Sequence, residues 1–139
     1  MKQKQNQTNQ RKLEHIKIVL ENEVEPMAPP FDKYILPYSA LPEIDMSKID
    51  TGFNFLGFDL DFPFLISSMT GGPDKGKIIN KNLAIAAEET KVAMGLGSMR
   101  VIIKHPESAP SFQVKKYCPN IPLLANVGLV QLNYGFGLE

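Results

Sequence analysis

The sequence predicts an α/β fold made of successive βα units around a parallel sheet buried on both faces. Three observations carry that prediction. Strand-like apolar runs begin at Phe64, Val92 and Ile121, about 28 to 30 residues apart, with helical patterning after the first and the second. Each run ends in small polar residues, Ser67 and Ser68, then Ser98, then Asn126, at the strand ends where parallel sheets assemble ligand sites. The composition, 43% hydrophobic and 22% charged over 139 residues, suits one globular domain or part of one.

Residues 1–10 hold a single apolar side chain, too little to offset the entropy of ordering, so a disordered polar lead-in is expected there. Residues 11–63 read as a basic N-terminal helix followed by a Pro/Gly-rich segment. Leu13, Ile16 and Leu20 fall at i, i+3 and i+7, a helical stripe, with Arg11, Lys12, His15 and Lys17 on the other faces. Pro26, Pro29, Pro30, Pro37, Pro42, Gly52, Gly57 and Pro63 then supply turn chemistry, and the run from Phe53 to Phe62 reads as a small hairpin. Residues 64–139 carry three βα units: a strand from Phe64 to Ser68, a helix over 78–91 with Ile79, Leu83, Ala86 and Ala87 on one face, a strand over 92–98, a helix near 108–117, and a strand over 121–126. A (β/α)8 barrel and a doubly wound sheet share this rhythm, which does not choose between them. A complete barrel needs about 250 residues, so the chain is expected to hold the first part of a larger domain. Three strands alone would leave an open edge and an uncovered apolar face.

Charge narrows the function. Fifteen Lys and Arg balance fifteen Asp and Glu, leaving no overall basic field to hold a nucleic-acid backbone. The longest apolar runs, such as Phe62 to Ile66, fall far short of a bilayer span, and the polar N-terminus has no secretory pattern. Cys118 stands alone, which excludes an internal disulfide or a cysteine-based zinc site and points to a reducing, cytoplasmic setting. Followed by proline and without a visible base, it reads as a small buried side chain. No cluster of metal-ligand spacing is seen, so no metal ligand is assigned.

Gly71 to Lys77 matches seven positions of the phosphate-binding pattern G-x-x-x-x-G-K-[ST]. Ile78 stands where the magnesium-binding hydroxyl belongs, and Pro73 removes one backbone N–H from the loop. Gly95-Leu-Gly97-Ser-Met-Arg100 begins like a dinucleotide fingerprint but has arginine in the last place. Arg11, Lys12 and Arg100 are either phosphate clamps or solvated surface charges; Met69 and Met94 suit core or cofactor-flanking positions equally.

The segments Arg11-Lys-Leu-Glu-His15, Ala40 to Asp45, Leu65-Ile-Ser-Ser-Met-Thr-Gly-Gly72, Ile79 to Ala84, Gly95 to Arg100, Leu123 to Gly128 and Gln131-Leu-Asn133, taken together, resemble type 2 isopentenyl-diphosphate isomerase. The resemblance implies a (β/α)8 TIM-barrel fold, of which this chain holds the N-terminal arm and about the first three βα units. It implies interconversion of isopentenyl and dimethylallyl diphosphate in isoprenoid biosynthesis, with reduced FMN as an acid–base cofactor, NADPH as reductant, Mg2+, and a homo-oligomer. Carried over by position, Ser68, Met69, Thr70, Ser98 and Asn126 would contact the flavin, with Ser67 and Gly71 beside them. Arg11, Lys12, Ser98, Met99 and Arg100 would bind the substrate diphosphate; methionine stands at 99 where the family often has glutamine. The family's catalytic residues and metal ligand fall beyond residue 139, so no catalytic residue is expected within this chain and it should be inactive alone, or completed by a separate C-terminal half. The competing readings are another FMN-dependent barrel of the hydroxyacid-oxidase type, which leaves Arg11 and Lys12 unexplained, and a non-catalytic truncated remnant.

Overall fold

The computed structural model describes residues 2–25, 30–69 and 74–129. Helix α1 spans Lys2–Glu21. It starts nine residues before the apolar stripe's basic onset at Arg11, in place of the polar lead-in expected to be disordered. Gln and Lys are good helix formers, and extending a nucleated helix fixes one residue per hydrogen bond gained. Single 3-10 turns follow at Pro30–Lys33 and Met46–Lys48. Asp45 caps the second, accepting from the Ser47 hydroxyl at 2.7 Å and the Ser47 N–H at 3.0 Å.

Strands β1 (Phe53–Phe55) and β2 (Phe58–Leu60) pair antiparallel, with Phe53 beside Leu60, Asn54 beside Asp59 and Phe55 beside Phe58. This is the expected hairpin. Leu56 and Gly57 both have positive φ, 53° and 83°, the two-residue turn whose twist matches the flanking strands. The Asn54 amide donates across the ladder to Asp59 Oδ1 at 2.9 Å, and its carbonyl accepts from Gly57 N at 3.3 Å.

The second sheet is three-stranded and parallel, in the order β3 (Leu65–Ile66), β4 (Ala93–Gly95), β5 (Leu123–Leu124). Leu65 lies beside Ala93, Ile66 beside Met94, Met94 beside Leu123 and Gly95 beside Leu124. Helix α2, Asp74–Glu89, makes the first crossover. It ends where Lys91 turns left-handed at φ 50°, so that Val92 N–H bonds Ala87 O and Lys91 N–H bonds Glu88 O, closing the orphan carbonyls of the last turn. The second crossover departs from the expected helix at 108–117. Helix α3 is only Arg100–Lys104, and 3-10 turns at Pro106–Ser111 and Lys115–Tyr117 complete the connection. Pro106 forces His105 out of the helical region, and Pro110 has no N–H to continue a ladder.

The expected first three units of a (β/α)8 barrel are thereby corrected. Among the described residues, five short strands stand in two small sheets, one antiparallel and one parallel, and neither closes on itself. Closure needs strands long and numerous enough to tilt and stagger around an axis, which two- and three-residue strands in a sheet of three do not provide. Leu60, Ala84, Ala87, Val92, Ala93, Met94, Leu96, Val101, Phe112, Val114, Cys118 and Ile121 form one core around α2, β4 and the turns after α3. Buried Asn80 joins that core by donating to Ser111 O at 2.9 Å. Cys118 is fully buried, and its Sγ lies 3.6 Å from Val114 O; burial pushes its thiol up, with Glu88 adding and Lys115 opposing. The small buried side chain read from sequence is what the structure holds.

Candidate functional site

Three parallel strands in register bring their C-terminal ends to one edge, and the loops that leave that edge carry the small polar residues. Ser68 follows β3, Ser98 follows β4 and Asn126 follows β5. Asn126 Nδ2 donates to Ser68 Oγ at 3.3 Å, across 58 residues of sequence. The Asn126 carbonyl accepts from Met99 N–H at 2.9 Å. One asparagine therefore holds the loops after β3 and β4.

Helix α1 faces this edge across a cavity of about 440 Å3. His15, Ile16, Val19 and Leu20 line it from α1, spaced so that they share one face of the helix. Ser68 and Met69 line it from the β3 loop, Ile79 from α2 and Ser98 from the β4 loop. Its lining residues are apolar except for Ser68, Ser98 and His15, and its volume is that of a small-molecule site. Such a lining suits a short hydrocarbon chain whose polar end is held at the rim.

The sequence-predicted residues divide as follows. Ser68, Met69 and Ser98 meet in the cavity wall, and Asn126 is tied to Ser68. Met99 packs against the core, with its N–H taken by Asn126. Arg100 opens α3 and is exposed beside Met99, outside the residues that line the cavity. Arg11 and Lys12 stand on the α1 backbone one turn before His15, and their side chains lie outside the described set. Thr70, Gly71, Pro73, Gln131 and Asn133 lie outside the described residues altogether. His15, exposed as its polar face of the helix suggests, also lines the cavity. Val19 and Ile79 line it without any sequence assignment to a site; the signal for Val19 is its place four residues after His15, and Ile79 belongs to the apolar stripe of α2.

Among the described residues no group of three or more His, Cys, Asp or Glu side chains gathers in a way that would hold a metal ion. No described helix is long and apolar enough to cross a membrane.

No family model matches the chain. Curated proteins do. An isopentenyl-diphosphate delta-isomerase of Nostoc sp. (strain PCC 7120) is 47% identical over 135 residues, covering 96% of this chain and 39% of its own length. One of Synechocystis sp. (strain PCC 6803) is 47% identical over 134 residues, covering 95% and 38%. One of Rickettsia prowazekii is 46% identical over 136 residues, covering 97% and 40%. These findings correct the resemblance to the flavin-dependent type 2 family. The similarity they support is to isopentenyl-diphosphate delta-isomerases as such; the names carry neither a type nor a flavin, and the described strands form no barrel. The chain is similar along nearly its whole length to these isomerases and spans about 39% of the length of the first of them.

Proposed function

We propose that this chain contributes the substrate-facing wall of an enzyme that isomerises isopentenyl diphosphate to dimethylallyl diphosphate in isoprenoid biosynthesis. The observation that carries the reading is the apolar cavity between α1 and the strand ends, in a chain 46–47% identical to proteins named for that reaction. The reaction adds a proton at the terminal methylene carbon and removes one from C2, shifting the double bond without net oxidation. Ile16, Val19, Met69 and Ile79 offer a five-carbon chain an apolar wall to lie against while charge develops on it. The diphosphate lies at the rim, with the Ser98 hydroxyl as donor and Arg100 as the cation of the β4 loop. Arg11 and Lys12, on the helix that roofs the chamber, complete the clamp in this proposal.

The cofactor is proposed as reduced FMN kept reduced by NADPH. The fit rests on chemistry of the exposed strand-end groups: the Ser68 and Ser98 hydroxyls and the Asn126 amide suit the polar edge of a planar ring, and exposed Met69 suits its apolar face. When bound, a reduced flavin supplies a proton donor and acceptor at the allylic carbons. The chain's own residues hold and orient; no described side chain is assigned to Mg2+. The purified chain by itself is expected to bind isopentenyl diphosphate and to turn none over.

Titration of the 15N-labelled chain with isopentenyl diphosphate, and separately with inorganic pyrophosphate, tests the reading. Saturable shifts at Ser68, Ser98 and α1 amides are expected with both, stronger with the prenyl compound. Absence of saturable shifts with isopentenyl diphosphate refutes the proposal. Flavin absorbance copurifying with, or added to, the chain tests the cofactor separately.

A further inference from the structure

Gly95 ends β4 in the middle of the parallel sheet, buried, where glycine weakens a strand by giving it nothing to pack. Backbone conformation does not call for it, since among described glycines only Gly57 has positive φ. Space does. A Cβ built on Gly95 meets Ser68 Oγ at 3.1 Å, Ser68 N at 3.3 Å and Ile66 O at 3.5 Å. The chain leaving β3 thus crosses the end of β4 against a bare α-carbon. At that height the Ser68 hydroxyl receives the Asn126 amide, while the Asn126 carbonyl holds Met99 N–H next to Ser98.

We propose that Gly95 is a positioning residue: by its lack of a side chain it sets the height of Ser68, and through Asn126 the relation of Ser68 to Ser98, two residues that line the cavity. Its consequence for ligand rests on the function proposed above; the geometry itself does not. Gly95 touches no ligand in this account and acts through Ser68. Replacing it by alanine adds a methyl carbon inside the ordinary contact distance of Ser68, so either Oγ swings away or the loop lifts by a few tenths of an ångström. Either movement breaks a hydrogen bond that is already long at 3.3 Å.

The test follows the side-chain amide resonances of Asn126 in the 15N-labelled full chain. In Gly95→Ala they are expected to move to the positions they take in Ser68→Ala, because both variants lose the same bond. With isopentenyl diphosphate as probe, the two variants are expected to weaken binding about tenfold each, and the double variant no more than either. Unmoved Asn126 resonances in Gly95→Ala overturn the proposal. So does wild-type affinity in a Gly95→Ala chain whose resonances have moved. If the wild-type chain does not bind the probe but the resonances move as stated, the positioning stands and the proposed function fails. Should Gly95→Ala not fold, Gly95→Ala/Ser68→Gly removes the closest contact and is expected to fold without recovering the Asn126 signal. Failure of that double variant to fold overturns the assignment to Ser68, since the backbone contacts alone would then account for the glycine.

Discussion

Removing the carboxylate of Glu88 is expected to destabilise the chain by about 2 kcal/mol at neutral pH. Glu88 lies in the last turn of α2, and its side chain is 19% exposed. Oε1 accepts from Asn120 Nδ2 at 2.6 Å, and Oε2 accepts from Asn120 N–H at 3.0 Å. Lys91 Nζ lies 3.4 Å from Oε1. The carboxylate thereby staples the end of α2 to the turn that feeds Ile121 into the core and Leu123 into β5. Hydrogen bonds to a charged acceptor contribute about 1.5–3 kcal/mol where buried, and partial exposure brings two of them nearer about 1 kcal/mol each. The Lys91 pair, more exposed, adds a few tenths of a kcal/mol. At about 2.1 cal/mol/K per residue of unfolding entropy, 2 kcal/mol lowers the thermal midpoint of a 139-residue chain by roughly 7 °C.

The pH dependence has a definite sign. Burial pushes the Glu88 carboxyl up, but the Asn120 side chain, the Asn120 N–H and Lys91 together outweigh it, so the folded value lies below the unfolded one. Stability from this group is therefore complete above the unfolded pKa and is lost as pH falls through the lowered folded value. Thermal unfolding by circular dichroism at pH 7 and at pH 3 compares wild type with Glu88→Gln and Glu88→Ala. Both variants should unfold earlier at pH 7, since glutamine offers one acceptor oxygen where two are used, and the gap to wild type should narrow at pH 3. A gap under about 0.5 kcal/mol at pH 7, or one that is as wide at pH 3, would falsify the account of the staple.

At the hairpin, Gly57→Ala is expected to cost about 1 kcal/mol through its φ of +83° alone, since nothing lies within 4 Å of the added carbon; Leu56→Asn should gain up to about 1 kcal/mol at its φ of 53°. Chemical denaturation measures both, and a stabilising Gly57→Ala would refute the turn assignment. Fully buried Cys118, its thiol pushed up chiefly by burial, is expected to react with a thiol-specific disulfide reagent at pH 7 only on the timescale of unfolding; complete reaction in the mixing time would contradict its packing. Isopentenyl diphosphate is expected to slow tryptic cleavage after exposed Lys17, because ligand between α1 and the strand ends holds the helix down. Equal cleavage with and without ligand would separate α1 from the site.

Local chemistry made several elements legible. The hairpin could be read from alternating phenylalanines around Leu56-Gly57, and the parallel character of the second sheet from three apolar runs separated by crossover-length segments, because antiparallel turns and parallel crossovers differ in the chain they need; the strand order came from the structure. Of the α2 face read as Ile79, Leu83, Ala86 and Ala87, Ala87 is in the core and Leu83 packs against it, while Ile79 lines the cavity, Ala86 is exposed and the buried neighbour is Ala84. The second crossover did not: helical patterning over 108–117 ignored how strongly Pro106 and Pro110 favour 3-10 turns. The barrel was an extrapolation from motifs, and closure is a property of a whole sheet that three short strands do not express.

By itself the sequence determined the hairpin, the parallel βα character of the second sheet, and that serine, serine and asparagine stand at the strand ends, since each shows in patterns of residues close together in the chain. Only the tertiary structure decided that Asn126 reaches Ser68 across 58 residues, that Gly95 is bare so that Ser68 fits, and that His15 and Val19 roof the same chamber. Those relations depend on distances between segments that no local pattern encodes, because they are set by the register of the sheet and the way α1 folds back over it.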